Sequence, residues 1–213
     1  TAGVLNRIWN FQSARVPAQV EIDQLLPMIG FNKLNWRKSR LMMPANMEID
    51  FGGIVKEYAA DAAAKLARRL GVEHGLVNLG GDFAVIGSQP ENRPWTVGVA
   101  NPKDPDNLMA KIDLIDGGLA SSGDYERSFV HENKRYSHIL NPKTGWPCTG
   151  LRAASVAANL CTVAGSMATI AMLMDEESGL IWLRNCGLPV VTMASDGSIE
   201  GVRLKKDQMQ GAI

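Results

Sequence analysis

The stretch Gly75-Leu-Val-Asn-Leu-Gly-Gly-Asp-Phe-Ala-Val-Ile-Gly87 decides the fold. It is apolar and carries β-branched residues, and Gly80-Gly81-Asp82 interrupts it, so it reads as strand, bend, strand. Working outward, Trp95-Thr-Val-Gly-Val-Ala100 continues the sheet. Upstream, Gly52-Gly53 leads into Ile54–Leu70, where Ile54, Tyr58, Ala62, Leu66 and Leu70 recur at helical spacing and Gly71 supplies the stop. A further helix is expected over 16–29, opened by Pro17, before a turn at Gly30 and a basic stretch from Lys33 to Arg40. Downstream, 127–130 and 135–140 flank His131-Glu-Asn-Lys134 as a hairpin that ends in the turn Asn141-Pro-Lys-Thr-Gly145. A strand over 153–158 precedes a helix over 162–174, and 189–193 with 199–204 close the chain as a hairpin around Asp196-Gly197. Strands outnumber helices and short turns join them, which predicts an α+β fold with a largely antiparallel sheet and packed helices.

Twenty-two basic residues balance 22 acidic ones and 46% of the chain is hydrophobic, so 213 residues can bury a core as one domain over 1–213, with two small lobes as the alternative. Zero net charge and the lack of any Lys/Arg block remove the long-range attraction that binding to a phosphate backbone needs, which excludes nucleic acid as a partner. No apolar run approaches the roughly 18 residues of a membrane span, and Thr1-Ala-Gly-Val-Leu lacks the basic-then-apolar order of a signal peptide. Three cysteines without C-x-x-C spacing and three histidines make no zinc site. A small-molecule site is the remaining expectation.

Two segments carry chemistry. In Ile49-Asp-Phe-Gly-Gly-Ile-Val-Lys-Glu-Tyr-Ala-Ala-Asp61, two glycines open a helix with Lys56 in its first turn; exposed N–H groups and an ammonium there suit a pyrophosphate, and a tight strand-to-helix turn is the plainer reading. The G-x-x-x-x-G-K-[ST] spacing is absent, so it is not a P-loop. In Leu119-Ala-Ser-Ser-Gly-Asp-Tyr-Glu-Arg127 and Tyr136-Ser-His-Ile-Leu-Asn-Pro-Lys-Thr-Gly145, a hydroxyl-rich glycine turn and a histidine are one hairpin apart. That pairing would bring Ser122 near His138, while a histidine in a strand is also a common structural residue.

Taken in order, Asp-x-Gly-Gly-Ile-x-Lys-x-Tyr-Ala-x-Asp from Asp50, Val-Asn-Leu-Gly-Gly-Asp from Val77, Ser-Gly-Asp-Tyr-Glu-Arg from Ser122 and Tyr-Ser-His-Ile-x-Asn-Pro-x-Thr-Gly from Tyr136 resemble the FAD:protein FMN transferase (ApbE) family, formerly described as thiamine-biosynthesis lipoproteins. The resemblance implies an ApbE-like, T-fold-like domain and transfer of FMN from FAD to a Thr or Ser hydroxyl of an acceptor protein, assisted by magnesium. It also implies roles. Asp50, Gly52 and Lys56 contact FAD, Ser122 and Ile139 line the flavin nucleotide, and His138 serves both in binding and as catalytic base. The Gly53 carbonyl and Thr169 are metal ligands, and Asp82, Glu126 and Arg127 brace turns. A periplasmic or membrane-tethered location follows from the same resemblance.

Three departures shape the expectation. The family's metal pair is an Asp and a Thr four residues apart, one helical turn on one face. Here Thr162-Val-Ala-Gly-Ser-Met-Ala-Thr169 has Gly165 where the Asp belongs, which predicts weak magnesium binding unless water, a substrate phosphate or Ser166 fills in. On this reading Gly165→Asp is tolerated and partly recovers metal affinity. Glu57 stands where the family usually has Gly, and Thr1-Ala-Gly-Val-Leu-Asn-Arg-Ile-Trp9 resembles a stretch well inside the family domain, so the N-terminal portion of that domain is expected to be missing. A non-catalytic flavin- or partner-binding relative and an FAD pyrophosphatase giving FMN and AMP stay open as alternatives.

Overall fold

The computed structural model describes residues 2–209, so Thr1 and 210–213 of the expected 1–213 domain lie outside the described residues. Two compact units emerge: the described parts of Thr1–Phe51 and Asp124–Cys148 form one, and those of Gly52–Gly123 and Thr149–Ile213 the other.

In the first unit, α1 (Gln19–Leu25) is followed by hairpin β1 (Asn35–Arg37) and β2 (Arg40–Met42). The helix expected over 16–29 is shorter because Pro27 removes a donor, so Leu26–Met28 turns as 3-10 instead.

The second unit opens with α2 (Val55–Arg69), then β3 (Gly75–Leu79) and β4 (Asp82–Gly87). Both residues of the β3–β4 turn have positive φ, 64° at Gly80 and 92° at Gly81, as a two-residue hairpin of primed type requires. Next come β5 (Trp95–Asn101), β6 (Asp104–Leu114) and β7 (Gly118–Gly123). Contrary to expectation, β5 does not extend the main sheet; it pairs with β6 in a sheet of its own. Nor is 119–123 a turn. Small residues let β7 sit between two neighbours, and Ser121 and Ser155 hydroxyls satisfy each other at 2.7 Å within the sheet.

The chain then supplies the first unit with β8 (Ser128–His131) and β9 (Lys134–Ser137), joined by Glu132 and Asn133 at φ 48° and 60°. The strand expected to run to 140 stops at Ser137, because the amide and ring of His138 both turn to the Arg127 carbonyl. Back in the second unit are β10 (Ala153–Ala158), α3 (Cys161–Met172), α4 (Glu176–Asn185), β11 (Val190–Met193) and β12 (Ile199–Val202). Helix α4 was not expected. Asp175 caps it by accepting from the Ser178 N–H at 2.9 Å, and Glu176 and Glu177 in its first turn favour the dipole.

The six-stranded sheet has the order β12-β11-β10-β7-β4-β3, antiparallel throughout. Helices α2, α3 and α4 pack side by side on it. Helix α2 is phased differently from its apolar stripe: Glu57, Ala60 and Ala64 are buried, whereas Ile54, Tyr58, Leu66 and Leu70 are exposed. Alanines allow close approach to β3, β4 and α3, and larger side chains on that face would hold the helix away.

Candidate functional site

Within the second unit four elements bring chemistry together. The Gly52-Gly53 turn precedes α2, whose first turn holds Lys56 and Glu57. The β3–β4 turn is next to Lys56; a Cβ on Gly80 would lie 3.6 Å from its Cδ. Lys56 Nζ lies 2.8 Å from Oδ2 of Asp82, a carboxylate with 2% exposure. Asp82 also accepts from the Ser121 N–H at 3.2 Å, so it fixes Lys56 and β7 relative to the glycine turn. From β7, Ser122 Oγ meets Thr169 Oγ1 of α3 at 3.0 Å.

Asp61, to which sequence reading gave no role, ties α2 to α3. Its oxygens accept from the N–H groups of Cys161 and Thr162, both at 2.9 Å, and from the Thr162 hydroxyl at 2.7 Å. A side chain of one helix therefore caps the N-terminus of its neighbour. The signal available in the sequence was Asp61 at the end of the first motif, without any indication of its partner.

Gly165 and Glu57 face each other. A Cβ at residue 165 would lie 2.5 Å from Glu57 Oε1, 2.7 Å from Cγ and 2.9 Å from Cδ. This overturns the expectation that Gly165→Asp is readily tolerated, since an Asp enters only if the buried Glu57 carboxylate is displaced. The Ser166 hydroxyl donates to the Thr162 carbonyl at 2.7 Å. Glu57 itself is 5% exposed and its Oε2 has no hydrogen-bond partner among the described residues. Burial foremost raises its carboxyl above the ordinary value; its own backbone N–H and Lys56 oppose this, and the charges of Asp82 and Asp61 add to it. The buried Glu57 carboxylate and the Ser122–Thr169 hydroxyl pair are oxygen donors, the type of ligand that a hard divalent cation such as magnesium takes.

In the first unit, Asp50 accepts from Asn6 Nδ2 at 2.9 Å. His138 is half-buried, with its N–H on the Arg127 carbonyl at 3.0 Å and ring Nδ1 3.3 Å from the same oxygen. Facing a carbonyl, Nδ1 is placed to donate its hydrogen to that oxygen. Ile139 accepts from the Cys148 N–H at 2.8 Å. Asp50, His138 and Ile139 thus belong to one unit, and Gly52, Gly53, Lys56, Ser122 and Thr169 to the other.

Comparison with known proteins supplies the context for this arrangement. The model of the ApbE family matches residues 1–192. FAD:protein FMN transferase of Escherichia coli K12 is 28% identical over 208 residues, covering 92% of this chain and 59% of that relative. One from Klebsiella pneumoniae is 36% identical over 151 residues, covering 68% of this chain and 46% of its own length. Among solved structures, the ApbE protein of Thermotoga maritima superposes with a TM-score of 0.87 at 33% identity, covering 95% of this chain and 69% of that one. The apo flavinyl transferase ApbE of Pseudomonas stutzeri gives 0.81 at 27% identity, with 95% and 66% coverage. The chain spans 59% of the length of the first curated relatives it matches.

Proposed function

The chain belongs to the ApbE family, and we propose on that premise that it cleaves FAD at the pyrophosphate and passes FMN to a Thr or Ser hydroxyl of an acceptor protein, with magnesium as helper. The observation that carries this reading is the cluster at the start of α2, where Lys56, pinned by Asp82, stands beside two glycine turns while Ser122 and Thr169 share a hydrogen bond. Such a cluster supplies what a diphosphate needs: helix N–H groups, a fixed ammonium and hydroxyl donors without bulky side chains.

Gly52 lets the phosphates approach the backbone, and Lys56 offsets their charge. Ser122 donates to the nucleotide; of the first unit's residues, the family resemblance gives Ile139 to the flavin and Asp50 to FAD. Magnesium, held by the Gly53 carbonyl and the Thr169 hydroxyl, would lower the charge on the phosphate oxygens. The acceptor hydroxyl attacks the phosphorus of the FMN half and gives its proton to a base, the role that the family resemblance assigns to His138. The bond from that phosphorus to the bridging oxygen breaks, and AMP leaves with the electron pair.

The test is to mix the chain with FAD and Mg2+ and follow AMP release, identifying the flavin product by mass. The expected result is AMP release that needs Mg2+ and falls by about 100-fold or more in His138→Ala. FMN and AMP in equal amounts without an acceptor would assign hydrolysis instead of transfer. Failure to bind FAD at all would overturn the proposal.

A further inference from the structure

Three carboxylates surround the α2–α3 contact, and they differ in what satisfies them. Both oxygens of Asp61 accept from the start of α3; Asp82 Oδ1 accepts from the Ser121 N–H, and its Oδ2, which makes no hydrogen bond among the described residues, has the Lys56 ammonium at 2.8 Å as counter-charge. Glu57 is buried as well, and its Oε2 has no hydrogen-bond partner among the described residues. A buried carboxylate oxygen left in this state is costly, and a cation removes the cost. Its position is specific. The Glu57 carboxyl lies over Gly165, within 2.5 Å of where a Cβ of that residue would be, one helical turn before Thr169. A glycine inside α3 lowers helix propensity relative to alanine, and here it leaves the space that the Glu57 side chain fills.

We propose that Glu57, reaching from α2 into the space over Gly165, is the carboxylate ligand of a divalent cation whose other protein donors are the Thr169 hydroxyl and the Gly53 carbonyl. The inference rests on the reading of Gly53 and Thr169 as metal residues given above. The carboxylate has changed helices: α3 carries none at residue 165, and α2 supplies one from residue 57 to the same place. All donors are oxygens, which selects hard ions such as Mg2+ and Mn2+ over softer metals.

The test uses Mn2+ as the probe, with binding read from loss of its free-ion EPR signal and reversed by Mg2+. The expected result is a single site in the unmodified chain, weakened about 10-fold or more in the isosteric Glu57→Gln. The reciprocal variant Glu57→Gly with Gly165→Asp returns the carboxylate from the other helix and is expected to regain most of the affinity. Should Glu57→Gln fold poorly, the unmodified protein decides by NMR: Mn2+ is expected to broaden the amides of Gly53, Glu57, Gly165 and Thr169 before any others. Unchanged affinity in Glu57→Gln, or no Mn2+ binding with and without FAD, overturns the inference. FAD cleavage followed in parallel keeps the two readings apart. Cleavage that persists in Glu57→Gln at unaltered Mn2+ affinity defeats the Glu57 ligand alone, whereas Glu57-dependent Mn2+ binding without FAD cleavage defeats the transferase reading and leaves the site.

Discussion

Lys56 and Asp82 show how one ion pair can serve structure and ligand together. Asp82 is 2% exposed, so removing its ammonium strands a buried charge, while Lys56 itself is half exposed and partly screened by water. Lys56→Met is therefore expected to cost about 1–3 kcal/mol of stability, and adding Asp82→Asn to recover part of it, as measured by urea unfolding. Loss of FAD affinity in Lys56→Met counts toward the diphosphate role only at matched folding. Cys161 is set by the same carboxylates. Burial first, then the charges of Asp82, Asp61 and Glu57, push its thiol up to about 12, with only Lys56 opposing, and burial pushes Cys148 up to about 11. Since the thiolate is the reactive form, both thiols are expected to resist iodoacetamide at pH 8 in the folded chain and to react once urea unfolds it. Mass analysis of labelled peptides checks this, and rapid native labelling of Cys161 would contradict the buried pocket.

At the scale of elements, α2 carries its information on the face that lacks large apolar residues. Ala64→Leu should force the helix off β4 and α3 and cost about 1–3 kcal/mol, whereas Leu66→Gln on the exposed side should stay within about 0.5 kcal/mol. Asp61→Ala removes the cap that α3 receives from α2 and is expected to cost about 2 kcal/mol, with thermal melting as the readout. These contrasts explain what was legible in the sequence. The β3–β4 hairpin announced itself through Gly80-Gly81 between β-formers, and α2 and α3 through their length and composition. Strand β7 did not, because Leu119-Ala-Ser-Ser-Gly123 lacks large β-branched residues and is held by neighbours distant in sequence. The same holds at the site. The motifs marked Lys56, Ser122 and Thr169, but the direction of Glu57 depends on a second helix more than a hundred residues away, and no local pattern encodes it.

At the scale of the molecule, both units are built from two segments of chain. The excursion 124–148 leaves the sheet at Gly123 and returns to Ala153, which pair directly across β7 and β10, so the sheet closes without it. What that excursion joins is an aromatic cluster. Trp9 packs on Phe11, Tyr136 and Trp146 with ring centroids 6.0, 5.9 and 5.5 Å away, and its indole N–H donates to the Gly145 carbonyl at 2.8 Å. Val4, Leu5, Ile22 and Ile29 complete this core, all from the first unit. Trp9→Ala should cost about 3–5 kcal/mol by opening a cavity and leaving the Gly145 carbonyl without its donor. Because the cluster draws on that unit alone, hydrogen exchange is expected to show lost protection in β8 and β9 while β7, β10 and β11 keep theirs. Equal loss in both sets would mean that the two units unfold as one, and the sheet would then depend on an aromatic core to which, among the described residues, it contributes none.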